Sequence, residues 1–260
     1  MKIAVIAVLL VSLAACSSVP SQDVSAFEEP SAAAPEEKNR DPWEGFNRSM
    51  YRFNDALDRA ILKPAAKGYK FVTPDPVEKG VSNVFSNLGE VSTILNSMLQ
   101  WKWKSAAHST GRFVVNSTLG IVGILDVAGH VGLEKRPGED FGQTLATWGV
   151  GSGPFLVLPF FGPSTVRDGF GTVVDWYSDP VTYADLHSDT RWAIRGVRLV
   201  DQRARLLEVE ELMSGDRYSF IRDAYLQNRD YLIKDGQVED DFGGEQEQFD
   251  DIDGFDDIEF

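Results

Sequence analysis

Apolar residues spaced three or four positions apart constrain the fold of this chain more than any other feature of its sequence. The first series begins at Trp43 and ends at Ile61, with steps of 3, 4, 3, 4 and 4 residues. A second series extends from Val77 to Met98 with similar steps. Because this spacing places the apolar side chains on one face of an α-helix, we predict an all-α body.

The predicted helix boundaries rest on Asp, Pro and Glu. Both series follow an Asp-Pro-x-Glu sequence, at residues 41–44 and 75–78. In each, Asp can cap the helix, Pro suits its first position and Glu can complete a capping box. Pro64 is predicted to end the first helix. Further helices are predicted near residues 105–119, 165–176, 188–213 and 216–234.

Two long apolar segments, residues 113–127 and 145–163, are interrupted before they reach the length of a membrane-spanning helix. They either pack in a core or enter one leaflet of a membrane, where protein must satisfy their backbone polar groups. The Trp-Lys-Trp-Lys sequence at residues 101–104 agrees with a membrane interface. Tryptophans beside a helix also occur in cores, so both interpretations stay open.

Three glycines, Gly149, Gly151 and Gly153, lie just before Pro154 in the second apolar segment. Glycine adopts backbone conformations that other residues avoid. The pattern is typical of a tight turn, and it also fits the hinge of a hairpin that moves.

The N-terminus has the pattern of a secreted, lipid-modified protein. A basic residue and a short apolar stretch lead to Leu-Ala-Ala at residues 13–15 and then to Cys16, the single cysteine of the chain. This sequence resembles the bacterial lipoprotein box, which implies that Cys16 is lipidated after cleavage of residues 1–15. Ser17 at the next position then implies sorting to the outer membrane. Residues 16–40, rich in Ser, Pro, Ala and Glu, are predicted to form a flexible tether.

Charge is distributed very unevenly along the chain. The sequence has 25 Lys and Arg against 40 Asp and Glu, and 12 of the acidic residues follow Lys234 without a single base. We predict that residues 235–260 form a disordered acidic tail, either solubilising or partner-docking. Residues 41–234 are nearly neutral, and the acidic balance argues against nucleic acid as a partner.

The residue pattern gives little support to catalysis or to metal binding. No phosphate-binding loop is present, and the positions two residues before and after Ser152 hold Val150 and Pro154, where a hydrolase elbow requires glycine. His108, His130 and His187 stand singly, without metal-ligand spacing. Because triad members can be distant in sequence, a hydrolase stays an alternative, but we predict no enzyme, no metal and no cofactor.

Five segments in the same order give the chain a family resemblance. The sequence of residues 41–48, which includes Phe46, Asn47 and Arg48, is similar to the Asp-Pro-x-Glu-Gly-Phe-Asn-Arg signature of the MlaA (VacJ) lipoprotein family. The other matching segments are residues 113–120, 126–129, 140–145 and 149–163. The resemblance covers a predicted single domain at residues 41–234.

The resemblance implies a helical ring in the inner leaflet of a Gram-negative outer membrane, on its periplasmic face. Such proteins take phospholipids misplaced in the outer leaflet through a central channel to a soluble periplasmic carrier, and they associate with trimeric porins. On this interpretation Phe46, Asn47 and Arg48 are structural, and the Gly149, Gly151 and Gly153 loop adjusts the channel mouth. The alternatives are a lipid-anchored scaffold for a porin or envelope complex, and a lipid hydrolase.

Overall fold

The computed structural model of the protein describes residues 40–207 and 215–236. These residues are mostly helical, so the predicted all-α character is confirmed apart from one short hairpin. The helices are α1 Glu44–Leu57, α2 Lys63–Val72, α3 Asp75–Leu99, α4 Trp103–Thr118, α5 Val127–His130, α6 Phe141–Thr147, α7 Val166–Ser178, α8 Pro180–Tyr183, α9 Ser188–Arg205 and α10 Arg217–Ile233. The predicted signal segment, Cys16, nearly all of the tether, the end of the helix predicted at 188–213, and the tail beyond residue 236 lie outside the described residues. Within the described ranges, no helix combines the length and apolar character needed to cross a membrane.

The predicted capping role of the two Asp-Pro-x-Glu sequences is wrong. Trp43 occupies the N-cap of α1 and Pro74 that of α3, and neither helix receives a side-chain capping bond. Asp41 is instead buried, where it accepts hydrogen bonds from Asn47 Nδ2 at 2.7 Å and from the Tyr218 hydroxyl. The tertiary partners of Asp41 therefore displace the local cap.

Pro64 does not end the first helical segment, contrary to the prediction. A π-helical turn, Asp58–Leu62, follows α1 directly and leads into α2, which carries Pro64 in its first turn. The amide of Lys63 donates to the carbonyl of Asp58, five residues back, and this wider turn accommodates a residue that lacks an N–H. Arg203 on α9 holds Asp58 by two hydrogen bonds of 2.6 and 2.9 Å.

A two-stranded antiparallel β-hairpin occupies part of the second apolar segment, where the all-α prediction had placed no strands. Strand β1, Phe155–Leu158, pairs with β2, Gly162–Thr165, with Phe155 opposite Thr165. Phe155 and Val157 are buried, whereas Phe160 and Phe161 at the hairpin tip are exposed. The segment therefore contributes both to the interior and to the surface.

The distribution of polarity is inverted relative to a water-soluble domain. Among the described residues, 9 hydrophobic side chains are buried against 19 polar or charged ones. Conversely, 35 large hydrophobic residues are exposed, including all six tryptophans of the chain. Phe71, 91% exposed, and Trp101, 75% exposed, are extreme examples. Buried polar groups and extensive exposed apolar surface are the informative exceptions to ordinary burial.

Candidate functional site

Two adjoining cavities form the candidate site. The first, which we call the aromatic cavity, has a volume of about 650 Å³ and lies among α3, α7, α9 and the hairpin tip. Its lining combines rings, aliphatic groups and charges: Leu88, Gly89, Ser92, Phe160, Phe161, Thr172, Asp175, Trp176, Asp179, Pro180, Trp192, Arg195, Gly196, Arg198, Leu199 and Gln202. The cavity is therefore amphipathic.

Arginines lie against the rings of the aromatic cavity. The guanidinium carbon of Arg195 lies 3.9 Å from the centre of the Trp176 ring and 5.6 Å from that of Trp192. Arg195 also donates to Thr182 Oγ1 at 2.8 Å, which fixes its orientation. Arg198 is paired with Asp179 at 2.8 Å. Stacked on the rings, Arg195 offers a positive charge inside an apolar wall.

The second cavity, which we call the polar cavity, has a volume of about 350 Å³. It shares four lining residues with the aromatic cavity: Gly89, Ser92, Arg198 and Gln202. Its acidic groups Glu90, Glu139 and Asp140 are each paired with a cation. Lys135 and Arg136 line it without an ion partner among the described residues. The polar cavity therefore favours an anionic ligand.

Asp175 connects the wall of the aromatic cavity to two neighbouring helices. Its carboxylate accepts hydrogen bonds from Ser92 and Asn96 on α3, both at 3.2 Å, and from the amide of Phe141 at the start of α6, at 3.0 Å. Burial raises the pKa of Asp175, with an additional contribution from the charge of Asp140. Asp175 therefore connects α7 to α3 and to the start of α6 through hydrogen bonds.

Arg112 organises the family segments at residues 113–120 and 126–129. It is 2% exposed and donates to Glu90 at 2.9 Å, to Asp126 at 3.1 Å and to the carbonyl of Leu133. Asn116 bonds both Asp126 and the amide of Ala128, at 2.9 and 2.8 Å. These bonds join α4 to α5 beneath the polar cavity.

Asp126 and His130 lie four residues apart, but their side chains do not pair with each other. Nδ1 of His130 lies 2.8 Å from the backbone carbonyl of Asp126. The Asp126 carboxylate is used instead by Arg112, Asn116 and the amide of Gly129. Among the residues that the structure describes, no group of His, Cys, Asp and Glu is arranged to hold a metal ion.

A second buried ionic cluster joins α6, α7 and α10. Arg229 donates to both oxygens of Asp140 and, at 3.0 Å, to Asp168, which also accepts from the Tyr225 hydroxyl at 2.9 Å. Burial alone would raise the pKa of Asp140, but the hydrogen bonds and charge of Arg229 outweigh it and hold that pKa below its usual range. Asp140 also caps α6 through the amide of Gln143. In the family segment at residues 140–145, Asp140 therefore has two structural roles: it caps α6 and it belongs to the ionic cluster.

Asn47 of the family signature binds the backbone of strand β1. It is fully buried, donates to the carbonyl of Phe155 at 3.0 Å and accepts from the amide of Val157 at 2.9 Å. Asn54, seven residues later on α1, repeats the arrangement with the carbonyl of Leu158 and the amide of Phe160, at 2.9 and 2.8 Å. We call Asn47 and Asn54 the asparagine clamp.

The other two signature residues lie on the outside of α1. Arg48 contacts Glu44 and Asp216 at 2.7 and 2.8 Å, and its guanidinium lies 4.3 Å from the centre of the Tyr218 ring. Phe46 is 51% exposed. Phe46, Asn47 and Arg48 line neither the aromatic nor the polar cavity.

The glycine loop also lies outside both cavities. Gly149 and Gly153 have φ angles of 87° and 66°, in a region that residues with a side chain avoid, whereas the φ of Gly151 lies outside that region. A Cβ atom on Gly149 or Gly151 would contact nothing within 4 Å, but on Gly153 it would lie 3.2 Å from Cβ of Val166. The loop leads directly into β1, so its conformation decides where the hairpin begins. Its role as a hinge stays a prediction.

Sequence reasoning missed the residues that give the aromatic cavity its character. Trp192, Arg195, Leu199 and Gln202 lie at helical spacing along α9 and share one face. That spacing was a usable signal, because it places an arginine and a tryptophan together. Phe160 and Phe161 gave no such signal, since their position depends on a pair of β-strands in a chain predicted to be all-α.

Comparisons with known proteins agree on one family. The family model described as MlaA lipoprotein matches residues 39–232. The chain is 35% identical over 221 residues to the intermembrane phospholipid transport system lipoprotein MlaA of Escherichia coli K12, covering 80% of this chain and 84% of that protein. It is 33% identical over 218 residues to the Haemophilus influenzae protein of the same description, covering 77% and 82%. An uncharacterised protein of Rickettsia felis is 39% identical over 198 residues, covering 75% and 78%.

A solved structure also matches the chain. It was determined in work on the structural basis for maintenance of bacterial outer membrane lipid asymmetry. The TM-score is 0.64 at 36% sequence identity, and the match covers 74% of this chain and 98% of the solved one. Sequence and fold therefore lead to the same relatives.

Proposed function

The chain belongs to the MlaA lipoprotein family, and from this premise we propose that it removes phospholipids misplaced in the outer leaflet of the outer membrane and passes them to a periplasmic carrier. Its relatives in Escherichia coli and Haemophilus influenzae are lipoproteins of an intermembrane phospholipid transport system. In this proposal the transport preserves the lipid asymmetry of that membrane.

The inverted polarity of the molecule is the observation that carries this proposal. A protein surrounded by acyl chains gains nothing from an apolar core and needs its polar groups paired inside. Here the buried groups are mostly polar or charged, and large apolar side chains are on the surface. Because no described helix is suited to cross the bilayer, insertion in one leaflet is the arrangement we propose.

The two cavities supply a route for an amphipathic molecule. Acyl chains can contact the rings of Trp176, Trp192 and Phe161, while Arg195 provides a cation for the phosphate of the headgroup. The polar cavity continues this route through the four shared residues and adds Lys135 and Arg136, two cations without an ion partner in the described part of the chain. An electropositive lining raises the local concentration of an anionic headgroup. No bond is made or broken along this route, so the proposal needs neither an enzyme activity nor a cofactor.

The remaining parts of the proposal concern attachment and partners. Lipidation at Cys16 anchors the chain on the periplasmic face of the outer membrane, since more than one acyl chain gives stable membrane residence. Residues 16–40 then act as a tether. Trimeric porins are the proposed membrane partners, and a soluble periplasmic phospholipid-binding protein is the proposed acceptor.

Labelling of outer-leaflet phospholipid in intact cells tests the proposal. Deleting the gene should increase the labelled phospholipid, and the unaltered gene should restore the original level. Arg195→Ala should fail to restore it at equal protein level, because the cation inside the aromatic cavity is lost. Arg52→Ala, an exposed arginine of α1 outside both cavities, is the matched control and should restore it fully.

A second measurement separates transport from scaffolding. The purified protein, reconstituted with its porin in vesicles, should transfer intact phospholipid to the purified carrier. A deletion strain with unchanged outer-leaflet phospholipid but unstable porin complexes would contradict transport and favour the scaffold. Recovery of cleaved lipid would favour a hydrolase.

A further inference from the structure

A third cavity, which we call the tryptophan groove, lies where α4 begins and α10 ends. Its volume is about 810 Å³. Trp101, Trp103 and Tyr231 line it and are 75%, 55% and 44% exposed. Lys104 and Arg136 also line it, and neither has an ion partner among the described residues. The groove thus presents exposed rings beside uncompensated positive charge.

The last described residues after α10, Asp235 and Gly236, lie in this groove. Asp235 and Gly236 have φ angles of 55° and 82°, and both residues line the groove. The amide of Gly236 donates to the carbonyl of Tyr231 at 3.0 Å, which closes the turn. The carboxylate of Asp235 is paired with Lys102, a residue of the groove. The first acid of the tail is therefore already bound there.

The sequence beyond residue 236 complements the groove in both charge and apolar character. Residues 237–260 contain 11 Asp and Glu and no Lys or Arg. They end in two consecutive copies of a six-residue unit, at 249–254 and 255–260, each beginning Phe-Asp-Asp-Ile. Each copy therefore presents a ring, an aliphatic side chain and several carboxylates. A solubilising tail needs the carboxylates but has no use for a repeated Phe and Ile.

We infer that the acidic tail, residues 237–260, docks on its own tryptophan groove, with the rings of Phe249 and Phe255 on Trp101 and Trp103 and its carboxylates on Lys104 and Arg136. Attachment at Gly236 makes this binding intramolecular, so weak individual contacts act at a high effective concentration. Aromatic pairs and charge complementarity supply the contacts.

Docking would also cover one side of the polar cavity. The groove and the polar cavity share Thr93, Arg136, Gly138 and Glu139. A tail bound to Arg136 would neutralise one of the two cations of the polar cavity that have no ion partner in residues 40–207 and 215–236. The docking inference itself does not depend on lipid transport and is tested without it.

Distance measurement between two spin labels tests the docking in the full-length protein. One label is placed through Ala107→Cys, an exposed position of α4 beside the groove that does not line it, and the other through Gly254→Cys in the tail. At low ionic strength we expect a narrow short-distance population. It should be lost in about 1 M salt, where charges are screened beyond about 3 Å, and in Lys104→Glu/Arg136→Glu.

The matched control is Lys67→Glu/Lys79→Glu, which makes the same change of charge at two exposed lysines outside the groove. This variant should keep the short distance. Phe249→Ser/Phe255→Ser, which leaves every charge in place, should lose it. A broad distance distribution that none of the variants changes would overturn the inference. The same result is expected if the groove contacts lipid headgroups instead of the tail. A short distance that disappears on dilution with unlabelled protein would also overturn it, because docking would then be between molecules.

Discussion

Single side chains replace ordinary sheet pairing at the edge of the hairpin. Each asparagine of the clamp offers one donor and one acceptor, which is what a neighbouring strand would offer to β1. Asn47 and Asn54 are two helical turns apart and therefore face the same strand. Since Phe160 at the hairpin tip lines the aromatic cavity, the signature helix acts on that cavity through the clamp.

Asn47→Ala should lower the free energy of unfolding by about 1–3 kcal/mol, because a buried carbonyl and a buried amide of β1 lose their partners. Asn54→Ala is the matched control. It removes the same two kinds of backbone bond at a half-exposed position where water can replace them, and it spares the bond that Asn47 donates to the buried Asp41, so its cost should be smaller. Denaturant unfolding in detergent measures both, and equal costs would contradict the importance of burial.

Gly142→Ala should destabilise the protein by about 1–3 kcal/mol through overpacking. Its Cβ would lie 2.4 Å from Nη2 of Arg229 and 2.6 Å from Oδ1 of Asp168, inside the ionic cluster. Gly68→Ala, in the middle of α2 with nothing within 4 Å of the new Cβ, is the control. Thermal unfolding should show a lower midpoint for the first variant and an equal or higher one for the second.

At the scale of elements, the ionic cluster of α6, α7 and α10 links stability to pH. Burial opposes but does not cancel the effect of Arg229, so the pKa values of Asp140 and Asp168 are lower in the folded than in the unfolded protein. Their stabilising contribution is therefore complete above the unfolded pKa of about 3.9 and is lost as the pH falls through the folded values.

Denaturant unfolding between neutral pH and pH 2.5 should show this loss, and Asp140→Asn should flatten the dependence on pH. Glu134→Gln, an exposed carboxylate with no ion partner among the described residues, should leave the slope unchanged. Asp175, whose raised pKa acts in the opposite sense, is present in all three proteins. A slope that Asp140→Asn does not alter would remove the cluster as its cause.

The glycine loop gives a prediction about movement of the hairpin. Gly149→Ala forces a side chain into a φ of 87°, which costs about 1–2 kcal/mol in that conformation. If the loop is a hinge, transport to the carrier should change while the fold is kept. Gly151→Ala places a Cβ in open space without such an angle and should have a much smaller effect. Equal transport in both variants and in the unaltered protein would contradict the hinge.

Periodicity predicted several of the long helices because an apolar stripe runs along one face, as in the series from Val77 to Met98. The wrong predictions of the helix cap and of the strands have a common physical cause: a partner distant in sequence determines the local conformation. Asp41 does not cap α1 because its carboxylate accepts hydrogen bonds from Asn47 and Tyr218. The β-hairpin, in turn, is bonded along β1 by the asparagine clamp. Asn47 was identified through its family signature, but nothing in its neighbourhood revealed that it binds a strand 108 residues away.

At the scale of the whole molecule, the exposed apolar surface predicts contact with acyl chains. In vesicles containing lipids brominated on their acyl chains, the tryptophan fluorescence of the reconstituted protein should be quenched, because Trp43 and Trp148 are 46% and 53% exposed and line none of the three cavities. Bromine near the headgroup end should quench more than bromine at the midplane if the protein occupies one leaflet. Fluorescence that brominated lipid leaves unchanged would contradict membrane insertion.

The same surface affects how the protein is made as well as where it works. In the proposed location the new chain crosses an aqueous compartment before it reaches its membrane. A copy that completed its fold during this passage would expose large apolar side chains such as Phe71 to other copies and would aggregate. Delivery therefore requires either an escort that shields this surface or a fold completed only on arrival. Secretion, folding and insertion then become one coupled process for this molecule.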